Sequence, residues 1–552
     1  MLFFHLIYAF VVARAAALPG NSINDFDGCQ NTREIVVDAA HVVGKFKNLQ
    51  GTNNANTALV DDPNDIIDDM KPAIANLWPE YGIKHVLIYT FPSVFLGFGK
   101  NGTAGDATNN DNYNWTVTDQ YIKFVTSRGA VASIQFNEAD GTNSSISSPE
   151  ILGQIGYMIT DHAIELYDFY AESDLTNTPT IEEAYENSFK YFAAFARGVA
   201  NASTKAGVVA WGSNRIVPTH ANYSVYDPYI SRFYADCAAQ NVPIKAATYH
   251  FTNVQFSFDP YAVKTLTDRF REEILVPAGL PDLEVWVTEY EPNPSGALPT
   301  SASALASYND PAWFAGFLLG TSMYAQDTSL TQALSWTGFG YGGYGAGHAY
   351  FQPWFSLTSN NKTVPLNAAA AWKLQASLVT NTSQRLDLQG SSPDGFAALA
   401  GESESGEIVQ VMLNNYQLDY DIVHHISIHP QQHIPSSKIM DCSTENKPAN
   451  TPVMLCLKYR VSNVLNQSRT SPLRTDTVCQ IYVQATIRDN HSDSYRLLLN
   501  NLPWNSTDAY TLTIQRVGGG QLHQVYKTSH GVGNCVDITV PFPANAQDLV
   551  TI

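Results

Sequence analysis

The chain has 552 residues, enough for two or more domains with sizeable cores. Its formal charge of −20, with only 15% charged residues, argues against nucleic acid and anionic membrane surfaces as partners. The six cysteines show no Cys-x-x-Cys or His-rich spacing, so disulfides are expected rather than a metal centre.

The chain opens on an apolar run, Met1 to Val12, followed by Ala15-Ala16-Ala17 and then Leu18-Pro19. This pattern predicts a secretory signal peptide over 1–17, and the run is short for a membrane span. Ten Asn-x-Ser/Thr sequons, at Asn101, Asn114, Asn143, Asn201, Asn222, Asn361, Asn381, Asn466, Asn490 and Asn505, fit a secreted eukaryotic glycoprotein. The segment 18–44 holds a short strand, Glu34 to Asp38, expected to pair with the C-terminal region.

From about residue 45 the chain alternates between two textures. Strands are expected at Phe46–Gln50, His85–Thr90, Ala130–Phe136, Ala163–Tyr170, Gly207–Trp211, Ile244–His250, Glu284–Thr288 and Ala333–Trp336. Helical patterns fill the gaps: Asp61–Tyr81, Thr118–Arg128, Pro149–His162, Thr180–Ala206, Val225–Gln240, Tyr261–Ala278 and Pro311–Asp327. Eight strands with interleaved helices predict an α/β fold, a (β/α)8 TIM barrel over 45–367. No Gly-rich phosphate loop follows an early strand, which argues against a doubly wound open sheet. Cys237 falls inside a helical pattern and is expected to be an unpaired core thiol.

After residue 370 short apolar runs alternate with Gly, Pro, Asn, Ser and Asp: Phe396–Ala400, Ile408–Leu413, Ile422–Ile428, Gln480–Ile487 and Tyr510–Ile514. They predict an antiparallel β-sandwich over 368–552. Cys442, Cys456, Cys479 and Cys535 lie in this part and are expected to form disulfides, with the pairing open.

The strand Val285-Trp286-Val287 ends on Glu289. A carboxylate buried there needs partners or a task, and strand C-termini are where barrel enzymes carry catalytic groups. Two glutamates compete to partner it: Glu138, in Asn137-Glu138, and Glu172, in Tyr170-Ala171-Glu172. On the same rim, Asn137, Glu138, His250 and Trp336 are candidate sugar contacts. The glycine-aromatic run Gly338 to Gly345, with Tyr341, is a candidate lid.

Several of these runs together resemble glycoside hydrolase family 39, the β-xylosidase and α-L-iduronidase family, with this chain a divergent, fungal-like secreted member. The resemblance covers roughly 34–415. It rests on Tyr113-Asn114-Trp115-Thr116, Tyr167 to Leu175, Asn241 to Ile244, Thr248-Tyr249-His250-Phe251, Gly279 to Glu289 and Ala369 to Leu374. It implies a Glu/Glu retaining barrel, with the acid/base after the fourth strand and the nucleophile after the seventh. That count selects Glu172 over Glu138 as the partner of Glu289. It also implies substrate contacts from Tyr249 and His250, and no cofactor. Three positions depart from the family: its Asn before the acid/base is Ala171, an Arg of the second strand is Leu87, and a Tyr beside the nucleophile is Phe251.

The expectation is thus a secreted hydrolase of β-xyloside-like wall glycans, taking an oligo- or polysaccharide and no nucleic acid or membrane partner. α-L-Arabinofuranosidase or β-glucuronidase-like specificity is an alternative sugar choice. A non-catalytic glycan-binding protein on the same fold is the alternative of another class.

Overall fold

The computed structural model describes residues 32–54, 76–90, 96–98, 106–137, 148–162, 166–170, 181–212, 223–251, 259–290, 312–336, 354–357, 363–393, 395–416, 455–458, 480–483, 494–504, 509–532 and 534–552. After a long first strand, β1 (Thr32–Lys45), come eight strands: β2 (Gly51–Asn54), β3 (His85–Thr90), β4 (Val131–Asn137), β5 (Leu166–Tyr170), β6 (Gly207–Gly212), β7 (Ala246–Phe251), β8 (Glu284–Tyr290) and β9 (Leu330–Trp336). Each pairs in parallel with the next, and β2 pairs with β9 to close the barrel. Helices α1 (Thr116–Thr126), α2 (Pro149–His162), α3 (Ile181–Ala202), α4 (Tyr223–Ala239), α5 (Ala262–Arg269), α6 (Ala312–Ala325) and α7 (Asn367–Asn381) complete the alternation.

The strands have two buried faces, so they read as near-continuous apolar runs. Outward residues such as Val86, Ile88, Ile134, Val285 and Val287 share one core with Phe192, Phe195, Phe233 and Phe317 of the helices. Inward, Val209, Ala246 and Trp286 form a separate small cluster.

All eight expected strands are present, but the first is displaced from 46–50 to Gly51–Asn54. The displaced residues hydrogen-bond outside the barrel ladder. Phe46 N–H donates to the Ser383 carbonyl, Lys47 Nζ to the carbonyls of Ala325 and Thr328, and Gln50 Nε2 to those of Tyr81 and Trp372. The helix expected over Tyr261–Ala278 is regular only to Arg269, and a π-helical turn, Phe270–Leu275, follows. Most of the helix expected over Asp61–Tyr81 lies outside the described residues.

Two short ladders, β10 (Phe355–Leu357) with β11 (Thr363–Pro365) and β15 (Leu455–Lys458) with β16 (Gln480–Val483), are separate from a larger sheet. That sheet has nine strands: β12 (Gln384–Gln389), β13 (Phe396–Glu402), β14 (Val409–Asn415), β17 (Ser494–Asn500), β18 (Ala509–Gly518), β19 (Gln521–Val532), β20 (Val536–Pro541), β21 (Gln547–Thr551) and β1. Its order is β19-β18-β21-β14-β13-β12-β1-β17-β20. The expected all-antiparallel pairing is corrected at one place: β1 runs parallel to β17, while antiparallel to β12. Both of its neighbours come from the far end of the chain, so no hairpin fixes its direction.

In β13 and β14 the period-2 alternation separates two apolar faces. Phe396, Ala398, Ala400, Val411 and Leu413 join the core of the sheet, whereas Ala397, Leu399 and Met412 join that of the barrel. α6 is buried over almost its whole length because it lies between the two, and the Asn414 side chain donates to the Gly316 carbonyl across that contact. Cys237 is a buried free thiol in α4, pushed up by burial. Cys535 is exposed and unpaired among the described residues; Cys442 and Cys479 lie outside them. The sequon residues Asn114, Asn201 and Asn381 are exposed.

Candidate active site

The direction of Glu289 is decided by a β-bulge. Counting by twos from Val285 and Val287, both outward, places Glu289 outward as well. The ladders show one extra residue in β8. Tyr249 pairs with Val287 but His250 with Glu289, and on the other side Ala333 pairs with Val287 but Ser335 with Tyr290. The β7 ladder places the extra residue at Thr288 and the β9 ladder brackets it between Val287 and Tyr290, so Tyr290 takes the outward place and Glu289 turns into the barrel.

Inside, the carboxylate is 6% exposed and is held at both oxygens. The Nδ1 atom of His250, on β7, is 3.1 Å from Oε2. The amide nitrogen of Asn53, on β2, donates to Oε1 at 3.3 Å, to the Thr288 carbonyl at 3.2 Å and to Gln135 Oε1 on β4 at 3.1 Å. Three acceptors around one nitrogen fix the orientation of the Asn53 amide.

Glu289 thus lies in the seventh barrel strand, Glu138 follows the third and Glu172 follows the fourth by two residues. Because all eight strands are parallel, the strand ends that precede Glu138 and Glu172 share the C-terminal rim with Glu289. Glu138, Glu172 and Tyr341 themselves lie outside the described residues. For Asn137 and Trp336 the structure gives the strand position, Asn137 paired with Tyr170 and Trp336 with Asn53, but not the side chain.

Two readings are corrected. Tyr249 does not face the barrel interior. Its ring packs edge-on against Phe270 at 5.7 Å, and its hydroxyl contacts Thr267 Oγ1 at 2.7 Å, among the helices. It sits one residue out of phase with inward His250, which excludes it as a cleft residue. Phe251 likewise points outward and stacks on Phe317, so its ring does not lie beside the Glu289 carboxylate. Asn53 and Gln135 escaped the sequence reading. Asn53 lay beyond the displaced first strand. Gln135 did carry a signal, because polar Ser133 and Gln135 stand on either side of apolar Ile134, the alternation of a strand with two different faces.

One layer below, His85 on β3 is buried, with Nε2 2.6 Å from Ser133 Oγ and its ring edge-on to Trp286. Burial lowers its pKa from 6.5 to about 4, against the opposing pull of a hydrogen bond with Gln332. The unfolded chain therefore binds more protons between those values, and stability falls as pH drops from 6.5 towards 4, by roughly 3 kcal/mol in all. His85→Gln is expected to lose less stability than wild type between pH 7 and pH 4.5, read as urea midpoints. An equal loss in both proteins would contradict this origin of the acid sensitivity.

Among the described residues no group of three or more His, Cys, Asp or Glu is placed to hold a metal, and no helix is long and apolar enough to cross a membrane. No protein-family profile and no curated protein matches the chain. Solved structures do match. A glucosidase from Croceicoccus marinus is 17% identical with a TM-score of 0.63, covering 94% of this chain and 98% of that one. A monomeric β-xylosidase from Caulobacter crescentus CB15 is 14% identical with a TM-score of 0.59, covering 94% and 99%. A GH39 enzyme from Xanthomonas axonopodis pv. citri is 14% identical with a TM-score of 0.56, covering 94% and 97%. At these identities the likeness is one of fold, and it extends over barrel and sheet together.

Proposed function

We propose that this chain is a secreted retaining glycoside hydrolase with Glu289 as nucleophile and Glu172 as acid/base. The observation that carries the proposal is the carboxylate of Glu289, turned into the barrel at its C-terminal rim, with a hydrogen bond from Asn53 and His250 Nδ1 3.1 Å away. A carboxylate buried with this many fixed contacts is suited to a reaction that needs it ionised and immobile. The barrel glycosidases that share the fold make glycosidic-bond hydrolysis the natural reaction class.

In the first step a Glu289 oxygen attacks the anomeric carbon as the bond to the leaving oxygen breaks. The Glu172 proton passes to that oxygen, leaving a glycosyl ester. In the second step water attacks the same carbon, gives its proton to Glu172 and releases Glu289. This geometry requires the two carboxyls to lie about 5 to 5.5 Å apart. β-Xylosides of wall glycans are the proposed substrates, as in the family 39 resemblance. Asn137, Glu138, Trp336 and Tyr341 remain proposed contacts along the rim. The nine-stranded sheet is read as the accessory sandwich domain.

A second reading, glycan binding without catalysis, is favoured by Ala171, which removes the amide expected beside the sugar hydroxyl next to the reacting carbon. A panel of aryl β-xyloside, β-glucoside, α-L-arabinofuranoside and β-glucuronide, followed by NMR of the first-formed anomer, separates the two. Turnover of the β-xyloside with the β-anomer released first is expected. Glycan binding without turnover of any member supports the second reading.

A further inference from the structure

We infer that Asn53 and Gln135 form a neutral amide relay that positions Glu289 and favours its ionised form. The inference rests on the reading of Glu289 as the nucleophile. Leu87, on the strand between those of Asn53 and Gln135, is buried and apolar, so the two amides meet beside a side chain that offers no hydrogen bond. Gln135 turns its carbonyl oxygen to Asn53, which commits the Asn53 nitrogen towards β8. There the nitrogen meets both the freed carbonyl of the bulged Thr288 and the Glu289 carboxylate. One side chain thereby fixes the bulge and the group the bulge turns inward.

Flipping either amide would set nitrogen against nitrogen or oxygen against oxygen, so the relay has one polarity. It leaves Asn53 Oδ1 and Gln135 Nε2 buried without hydrogen-bond partners, an arrangement retained at the expense of stability.

The chemical consequence falls on the second step. An N–H bond to a carboxylate favours the free anion over its ester and so assists the departure of Glu289 from the sugar. Among the described residues, the titratable group facing Glu289 is His250, from β7. β2 and β4 contribute only the amides, and His85 lies below, against Trp286. No titratable side chain of β9 faces it.

Asn53→Leu tests this at nearly constant volume, with Gln135→Leu as the second variant should the first not fold. Slower release of the ester is expected to lower kcat and KM together, by about tenfold, on an activated aryl glycoside. The acid limb of kcat/KM is expected to move up by about one pH unit, and in Gln135→Leu by less. Titration of Glu289 by NMR of carboxyl-labelled glutamate, assigned with Glu289→Gln, reports the same shift without turnover. A wild type that hydrolyses no glycoside overturns the enzyme reading, while that titration still decides the relay. An unchanged Glu289 titration in the folded variants overturns the relay, whether or not turnover is seen.

Discussion

Asp548→Ala is expected to lower the unfolding free energy by about 3 to 5 kcal/mol. Asp548 lies on β21 with none of its surface exposed. Arg516, on β18, grips it with two bonds, Nε to Oδ1 at 2.6 Å and Nη2 to Oδ2 at 2.7 Å. Tyr495 of β17 donates to Oδ2 at 3.2 Å, and Arg516 also donates to the Pro541 carbonyl. The cluster therefore ties together strands far apart in sheet order. Burial raises the pKa of Asp548 against the pull of Arg516 and Tyr495, so the pair adds little net stability of its own. Removing one member is another matter, because it strands a largely buried guanidinium and a buried phenol. The double variant Asp548→Leu/Arg516→Met is expected to recover most of the loss. Urea unfolding of the three proteins checks this; a loss under about 1 kcal/mol for the single variant would show that the pair is solvated.

The largest expected effect on activity comes from Glu289→Ala, a fall in kcat of roughly 10^4-fold or more. The variant should keep its fold, because Asn53 retains two other acceptors, the Thr288 carbonyl and Gln135 Oε1. Loss of activity from misfolding is distinguished by azide. A small anion entering the vacated space can attack the anomeric carbon directly, and a glycosyl azide of inverted configuration is the expected product. Turnover at the wild-type rate would refute the assigned nucleophile.

Much of this architecture is legible from the chain alone. The barrel strands are short apolar runs bounded by helix-forming segments, and that contrast survives in any tertiary context. The phase of β8 is not legible. Whether Thr288 bulges depends on its pairing with β7 on one side and β9 on the other, which no local pattern records. The same one-residue phase separates His250, in the barrel, from Tyr249, among the helices. In a strand buried on both faces, apolar and polar residues no longer mark inside and outside. Asn53 was hidden for a different reason. Its strand is only four residues long, so the more apolar segment before it drew the assignment. The course of β1 depends on partners found more than 300 residues away.

The central claim is that Glu289 forms a covalent bond to the sugar. An activated 2-deoxy-2-fluoro-β-xyloside slows the second step and should trap that ester, which peptide mass spectrometry then locates. The account predicts a single fluoroxylosyl group on Glu289 and loss of activity in step with labelling. Labelling of a different residue, or steady β-xyloside hydrolysis with inversion and no label, would contradict it.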